Sequence, residues 1–340
     1  MASELCFSVV IPVHNRAQQL RSALQSVLKQ AEQDFEVIVI DDDSQDDPAA
    51  VVSAFADPRI RLLRQQPHNG AGAARNMGID EARGRFVAFL DSDDRFLPHH
   101  LSAMRRLFAS QRVDAAYAPV WVERGRGLRF VKPPRAIAPD EHMANYVLSE
   151  RGFVPTTTLV VERTWAVRVR YDPAVPYAQD TDFSIRLYLA GCRFAMVPEP
   201  GGIWSDLGSP LQISTGRKGR FMESWLERLK PEIPERAWFG ARGWMIAKGI
   251  AAREPLRALM LFADALRHRC YRPELALSVF CQIFLPQRVY RTLADMCIRV
   301  ADGAVWSRAD RSMPRAESPL PRDGAPDGLQ RAARRILPHT

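Results

Sequence analysis

Phe7-Ser-Val-Val-Ile-Pro-Val-His-Asn15 is the stretch whose pattern decides the fold. Phe7 to Ile11 reads as one continuous apolar strand, the kind buried on both faces of a parallel sheet. Downstream, from about Arg16 to Gln30, Leu20, Leu24, Val27 and Leu28 recur at helical spacing. A second apolar strand, Phe35 to Ile40, stops abruptly at Asp41-Asp42-Asp43-Ser44. Ile60 to Leu63 is a short third strand, and Gly70 to Arg83 reads as a loop leading into a helix. The fourth strand, Phe86 to Leu90, ends in Asp91-Ser92-Asp93-Asp94. Pro98 suits the first turn of the next helix, and Val113 to Val122 reads as a further strand. This βαβ rhythm predicts a doubly wound α/β architecture, a mostly parallel sheet flanked by helices.

Pro133-Pro134 and Pro139 mark a connection, with a helix expected over Asp140 to Leu148. Thr157 to Val161 is strand-like. Asp182 to Leu189 is a helix stopped by Gly191, a residue suited to the left-handed end position. Gly201 to Gly219 reads as a long polar loop, and residues 220–302 turn wholly helical, with Leu256, Leu259, Phe262 and Leu266 at helical spacing. From about Ser307 the chain is rich in Pro, Arg and Asp and reads as a disordered tail. The expected organisation is an α/β domain over 1–215, a helical region over 216–305 and a tail over 306–340.

The 340 residues are 46% hydrophobic and 25% charged, ordinary for a globular protein with a sizeable core. The net charge of +8 is carried almost wholly by arginine, since the only lysines are Lys29, Lys132, Lys218, Lys230 and Lys248. A GC-rich genome, an anionic donor and an anionic membrane face all fit this balance. The excess charge is scattered and no nucleic-acid motif accompanies it, so no nucleic-acid partner is expected. The cysteines Cys6, Cys192, Cys270, Cys281 and Cys297 are odd in number and lack CxxC spacing, against a disulfide framework or a zinc site. No apolar run approaches membrane-spanning length. The expectation is a cytoplasmic protein, free or on the cytoplasmic face of the inner membrane.

In open parallel sheets, ligands bind beyond the carboxyl ends of the strands. Pro12-Val13-His14-Asn15, Asp41-Asp42 and Asp91-Ser92-Asp93 all fall there. Asp and Asn are common caps and loop residues. Two acidic clusters ending buried strands are different, because like charges in one crevice repel unless a cation joins them. Carboxylates one residue apart suit Mg²⁺ or Mn²⁺, ions usually completed by substrate phosphates. Neither a GxxxxGK[ST] loop nor a GxGxxG after the first strand is present.

Ser8-Val-Val-Ile-Pro-Val-His-Asn15, Val37-Ile-Val-Ile-Asp-Asp-Asp-Ser44, Gly72-Ala-Ala-Arg-Asn-Met-Gly78 and Phe89-Leu-Asp-Ser-Asp-Asp94 together resemble glycosyltransferase family 2, of the GT-A fold. Order and spacing agree as well as letters, over about residues 7–200. The resemblance implies an inverting transferase moving a sugar from a nucleotide diphosphate donor, UDP-linked by expectation, to an acceptor hydroxyl. A saccharide or lipid-linked saccharide in bacterial polysaccharide, lipopolysaccharide or glycolipid assembly is the implied acceptor. Pro12, His14 and Asn15 would lie against base and ribose, with His14 where the family often has Tyr. Asp42 would accept from the base, Asp41 would support that loop, and Asp43 stands where the family often has Gly. Arg75 and Asn76 would order the donor site. Asp91 and Asp93 would form the metal motif, Asp93 as direct ligand and Asp91 shared with the ribose.

Gln179-Asp180-Thr181-Asp182 occupies the place of the family's Glu-Asp-x-Asp, whose second residue is the general base; that position is Asp180. A sugar hydroxyl is a weak nucleophile until its proton has somewhere to go. Asp180 also reads as a helix N-cap, and Arg75 as a surface ion-pair partner. Asp182 reads as loop support. Trp204 in the long loop is a stacking platform for a sugar or a packing anchor; Arg217, Lys218 and Arg220 are further cations near it. The C-terminal helices, with Arg beside Trp225, Trp238, Trp244 and Phe284, read as a packed cap, a homodimer interface or a face for anionic lipid. Two other functions compete: a non-catalytic nucleotide-sugar-binding or regulatory protein, and a two-carboxylate glycoside hydrolase.

Overall fold

The computed structural model describes residues 5–125, 128–206 and 219–309. Along the first half, strands β1 (Phe7–Val13), β2 (Phe35–Asp42), β3 (Ile60–Gln65) and β4 (Phe86–Phe89) alternate with helices α1 (Ala17–Leu28), α2 (Pro48–Ser53) and α3 (Ala71–Glu81). Then come β5 (Arg95–Phe96), α4 (His100–Ser110), β6 (Ala115–Tyr117), β7 (Val120–Glu123), β8 (Arg129–Lys132) and α5 (Met143–Leu148). A 3₁₀ turn, Thr156–Thr158, leads into β9 (Val160–Glu162), α6 (Arg163–Val169), α7 (Gln179–Leu189), β10 (Phe194–Met196) and β11 (Gly202–Ser205). The remainder is helical: α8 (Gly219–Leu229), α9 (Glu235–Ala241), a π segment Arg242–Ile246, α10 (Ala247–Ile250), α11 (Pro255–Arg267), α12 (Pro273–Phe284) and α13 (Gln287–Ala309). The described residues up to Ile298 form one compact unit and a second begins at Arg299.

The main sheet runs β10-β6-β9-β4-β1-β2-β3. β4, β1, β2 and β3 are mutually parallel, while β9 lies antiparallel between β4 and β6. The continuous apolar character of β1 has the cause expected of it. Val9, Ile11 and Val13 face one core with Leu20, Leu24 and Val27 of α1, and Val10 faces the other with Ala74 and Ile79 of α3. That second core also takes in Trp225, Leu226, Ala237 and Phe262 of the C-terminal helices, so sheet and helices share one interior.

Several boundaries differ from expectation, each for a physical reason. The strand expected over Val113 to Val122 is two strands, because Pro119 lacks the N–H a continuous ladder needs. β6 stays in the main sheet, and β7 joins a second sheet ordered β5-β11-β7-β8. Thr157 and Thr158 belong to the 3₁₀ turn and the strand begins only at Val160. The loop expected from Gly201 begins as strand β11, parallel to β7. α7 starts at Gln179, earlier than its apolar pattern suggested. The calls on Arg217, Lys218 and the tail from 310 onward lie outside the described residues, as does the side chain of Arg220. No helix among the described residues is long and apolar enough to cross a membrane.

Gly78 shows why the Gly72 to Gly78 motif ends as it does. A Cβ there would overlap the Val10 side chain of β1, and a β-branched neighbour cannot swing aside. Gly78→Ala is expected to lower stability by about 1–3 kcal/mol, read as a reduced urea midpoint with an unchanged m-value.

Candidate active site

The chain leaves β1 toward β2 and β3 and then returns to β4 on the other side of β1. Such a reversal opens a crevice at the carboxyl ends of the strands. A cavity of about 710 Å³ lies there, bordered among others by Pro12, His14, Asp42, Arg75, Asp91, Asp93, Asp180 and Trp204. Asn15, Asp41 and Asn76 are not among its lining residues.

Arg75 organises this space. Its side chain is 7% exposed, and its two terminal nitrogens donate to Asp91 Oδ1 at 2.6 Å and to Gln179 Oε1 at 2.7 Å. Its guanidinium also lies over the Tyr171 ring at 5.1 Å. One planar fork thereby joins the end of β4 to the start of α7. Asp180 follows Gln179 in the first turn of α7, whose N-cap is Ala178 at φ 54°, so Asp180 is not the cap. Its Oδ1 accepts from the Thr181 N–H at 2.8 Å. Burial raises the Asp180 carboxyl above the usual carboxylate range, against the opposing pull of that N–H, Lys132 and Arg75.

Around Asp91 the acidic turn is divided by role. Asp91 and Asp93 line the cavity and are 33% and 25% exposed. Asp93 Oδ2 accepts from Arg16 Nη1 at 2.5 Å. Asp94 is buried; it accepts from Thr157 Oγ1 and, at 3.0 Å, from the Ser205 N–H, tying the turn to the 3₁₀ segment and β11. Burial raises the Asp93 carboxyl, and the negative charge of Asp91 raises it further. Among the described residues no group of three or more His, Cys, Asp or Glu side chains is arranged to hold an ion. The donor set fits a divalent ion held by two carboxylates and completed by diphosphate oxygens, the usual arrangement for Mg²⁺.

At the other end His14 and His68 lie with ring centroids 4.1 Å apart. His14 Nδ1 donates to the Asp42 carbonyl at 2.7 Å and its Nε2 receives the Asn15 amide at 2.9 Å. The Asp42 carboxylate accepts from Gln65 Nε2, the Asn69 and Gly70 N–H groups and His68 Nδ1, all within 2.9 Å. Four donors match the four lone-pair sites of a carboxylate, so an N–H from a base would have to displace Gln65 or His68. In this state Asp42 fastens the front of α3, and hence Arg75, to the end of β2.

Asn15 and Asp41 shape the neighbouring loops. Asn15 Oδ1 accepts from the Gln45 N–H and Asp41 Oδ1 from the Ser44 N–H. Asp43 sits at φ 62°, the left-handed conformation Asp tolerates and Gly prefers. Asp182 pairs with Arg186 at 2.7 Å and accepts from Trp225 Nε1 at 2.8 Å, binding α7 to α8.

Sequence reasoning missed Arg16, Gln65 and His68. Arg16 adjoins the first motif, but nothing in sequence pairs it with Asp93, 77 residues away. His68 stands just before the Asn69-Gly70 turn, where only its nearness to the third motif offered a signal. Asn76 was expected to order the donor site. It instead brackets the Tyr171 backbone, donating to the carbonyl at 2.8 Å and accepting from the N–H at 2.9 Å. Asn76→Ala leaves both buried groups unpaired and is expected to lower stability by about 1–3 kcal/mol. A lowered urea midpoint of the variant checks this.

The glycosyl transferase family 2 profile matches residues 8–175. Amylovoran biosynthesis glycosyltransferase AmsB of Erwinia amylovora is 32% identical over 243 residues, 68% of this chain and 80% of that protein. UDP-Glc:alpha-D-GlcNAc-diphosphoundecaprenol beta-1,3-glucosyltransferase WfgD of Escherichia coli is 31% identical over 157 residues, 46% of this chain and 60% of that protein. The mannosyltransferase PcManGT from Pyrobaculum calidifontis, solved with GDP-Man and Mn²⁺, superposes with a TM-score of 0.53 at 18% identity, over 90% of this chain and 88% of that one. The last likeness is one of fold. Identity at the level of AmsB over four-fifths of that relative, together with the profile match, places this chain in glycosyl transferase family 2.

Proposed function

We propose that this glycosyltransferase moves a sugar from a UDP-linked donor to an acceptor hydroxyl with inversion at the anomeric carbon. The observation that carries the reading is the Arg75 bridge, which holds Asp180 beside the Asp91–Asp93 turn in one cavity. Pro12, His14, His68 and Asp42 border the end suited to base and ribose. Asp91 and Asp93 would hold Mg²⁺ or Mn²⁺, which when bound supplies positive charge to the departing diphosphate. Arg75 orients Asp91 and keeps the α7 turn against the donor.

The acceptor oxygen attacks the anomeric carbon opposite the diphosphate, its proton passes to an Asp180 carboxylate oxygen, and the sugar–phosphate bond breaks with its electron pair on the nucleotide. No covalent sugar–enzyme species forms. Assembly of a bacterial polysaccharide, lipopolysaccharide or glycolipid on a lipid-linked saccharide is the setting that the likeness to AmsB and WfgD supports. Leu256 (76% exposed), Met260 (60%) and Leu277 (66%) stand on α11 and α12, and Arg267, Arg269 and Arg272, at the end of α11 and in the turn to α12, are exposed as well. Apolar groups edged by cations suit an anionic bilayer, where such an acceptor resides. Vesicles containing phosphatidylglycerol should carry the protein upward on flotation and pure phosphatidylcholine vesicles should not; a salt-resistant dimer with no flotation would assign the face to self-association.

Thermal shift with UDP, dTDP and GDP, each with Mn²⁺, Mg²⁺ or EDTA, tests the donor site, since a ligand that binds only the folded state raises its stability. Metal-dependent stabilisation by UDP is expected, and Asp93→Ala should abolish it. Asp180→Asn should retain that stabilisation and lose roughly 10²–10⁴-fold in transfer rate; undiminished transfer would remove Asp180 from the mechanism. Stabilisation without turnover on any acceptor would favour a binding protein. Asp180 accepts a proton only when ionised, and its folded-state value is raised. Activity should therefore fall on acidification at a pH above the ordinary aspartate range, seen as the acid limb of kcat/KM.

A further inference from the structure

Lys132 ends β8, and its ammonium stands 4.2 Å from the Phe153 ring centroid and 5.4 Å from that of Trp204. The two rings are 5.6 Å apart and inclined by 30°. Trp204 borders the cavity together with Asp180. Arg151 lies near, its guanidinium 4.6 Å from the Trp244 centroid and its buried Nε without a hydrogen-bond partner. Among the described residues no carboxylate comes within 4.0 Å of Lys132 or Arg151, whereas Arg124 is paired with Asp206 and Asp295.

Two neighbouring cations held in a partly desolvated place without a counter-ion are unfavourable. Burial, reinforced by the charge of Arg151, lowers the Lys132 ammonium to about 8, while Asp180 and Asp206 oppose that shift. The donor diphosphate has its own fittings at Asp91, Asp93 and Arg75. Lys132 belongs to the second sheet, and its strong electrostatic neighbours are Arg151, Asp180, Arg124 and Asp206. Through Trp204, which borders the cavity together with Asp180, the unmet charge reaches the side of the crevice where the base stands. Aromatic faces beside a cation suit a sugar ring carrying a negative group, because the rings cover the apolar face while the ammonium meets the charge.

Resting on the transferase reading above, we propose that Lys132, Arg151, Phe153 and Trp204 form an acceptor subsite. It takes a sugar bearing an anionic oxygen group, a carboxylate or a phosphate ester, and presents its hydroxyl to Asp180. The subsite makes this enzyme selective for anionic over neutral acceptors.

The full chain contains five lysines, so reductive ¹³C-methylation, which keeps their charge, yields a small set of NMR signals. A Lys132→Arg variant identifies the Lys132 signal. With UDP and Mg²⁺ saturating, glucuronate, glucose 1-phosphate and glucose are titrated separately. A saturable shift of the Lys132 signal is expected with one or both anionic sugars and none with glucose; which anion acts distinguishes carboxylate from phosphate. Arg151→Met should weaken that response. No movement with either anion, or equal movement with glucose, overturns the subsite. UDP binding to the same sample, followed by calorimetry, separates the two readings. UDP bound with Lys132 unmoved removes the subsite alone, and UDP unbound removes the transferase reading beneath it.

Discussion

The guanidinium of Arg75 donates from one helix to Asp91, at the end of a buried strand, and to Gln179, 104 residues along the chain. An arginine can do this because its donors lie in one rigid plane; a lysine would offer charge without the two-point geometry. Around this contact the rest of the site is arranged. Asp42 holds the turn in front of α3, Asn76 brackets Tyr171 from the next position on the helix, and Tyr171 lies under the Arg75 guanidinium. The same few residues therefore position Asp91 and Asp180 together.

The carboxylates of the crevice are handled in three ways. Asp42 and Asp94 are buried and spend their oxygens on backbone and side-chain donors, so they join segments. Asp91 and Asp93 keep partial exposure, each with one arginine, and face the cavity. Asp180, half-buried, has the N–H of Thr181 and the more distant fields of Lys132 and Arg75. Acid–base work calls for a carboxyl whose proton affinity is tuned upward, and metal coordination calls for carboxylates reachable from the cavity. Burial separates the two carboxylates that join segments from the three that line the cavity with part of their surface free.

Much of the site was legible because its residues sit where strands end. Asp91, Asp93, His14 and Asp42 follow apolar runs, and the parallel sheet puts those ends on one edge. Asn15 and Asn76 were legible as motif letters but not as roles. Whether an amide or carboxylate faces a ligand or its own backbone depends on rotamer and neighbour, which the letters do not encode. Arg16 and Lys132 were illegible as site residues, since each acquires its meaning from a partner on a distant segment.

The sequence by itself determined that β1 to β4 run parallel and the edge where polar groups gather. Hydrophobic runs buried on both faces admit few arrangements, and the sheet's direction puts their ends together. Only the tertiary structure decided that Pro119 sends the chain into a second sheet, that β9 enters antiparallel, and that α7 begins at Gln179 so that Asp180 stands beside Asp91. Local pattern carries periodicity, which short-range sterics and burial set. The meeting of Arg75 with Gln179, or of Lys132 with Trp204, depends on packing between segments far apart in the chain, and no spacing of letters specifies it.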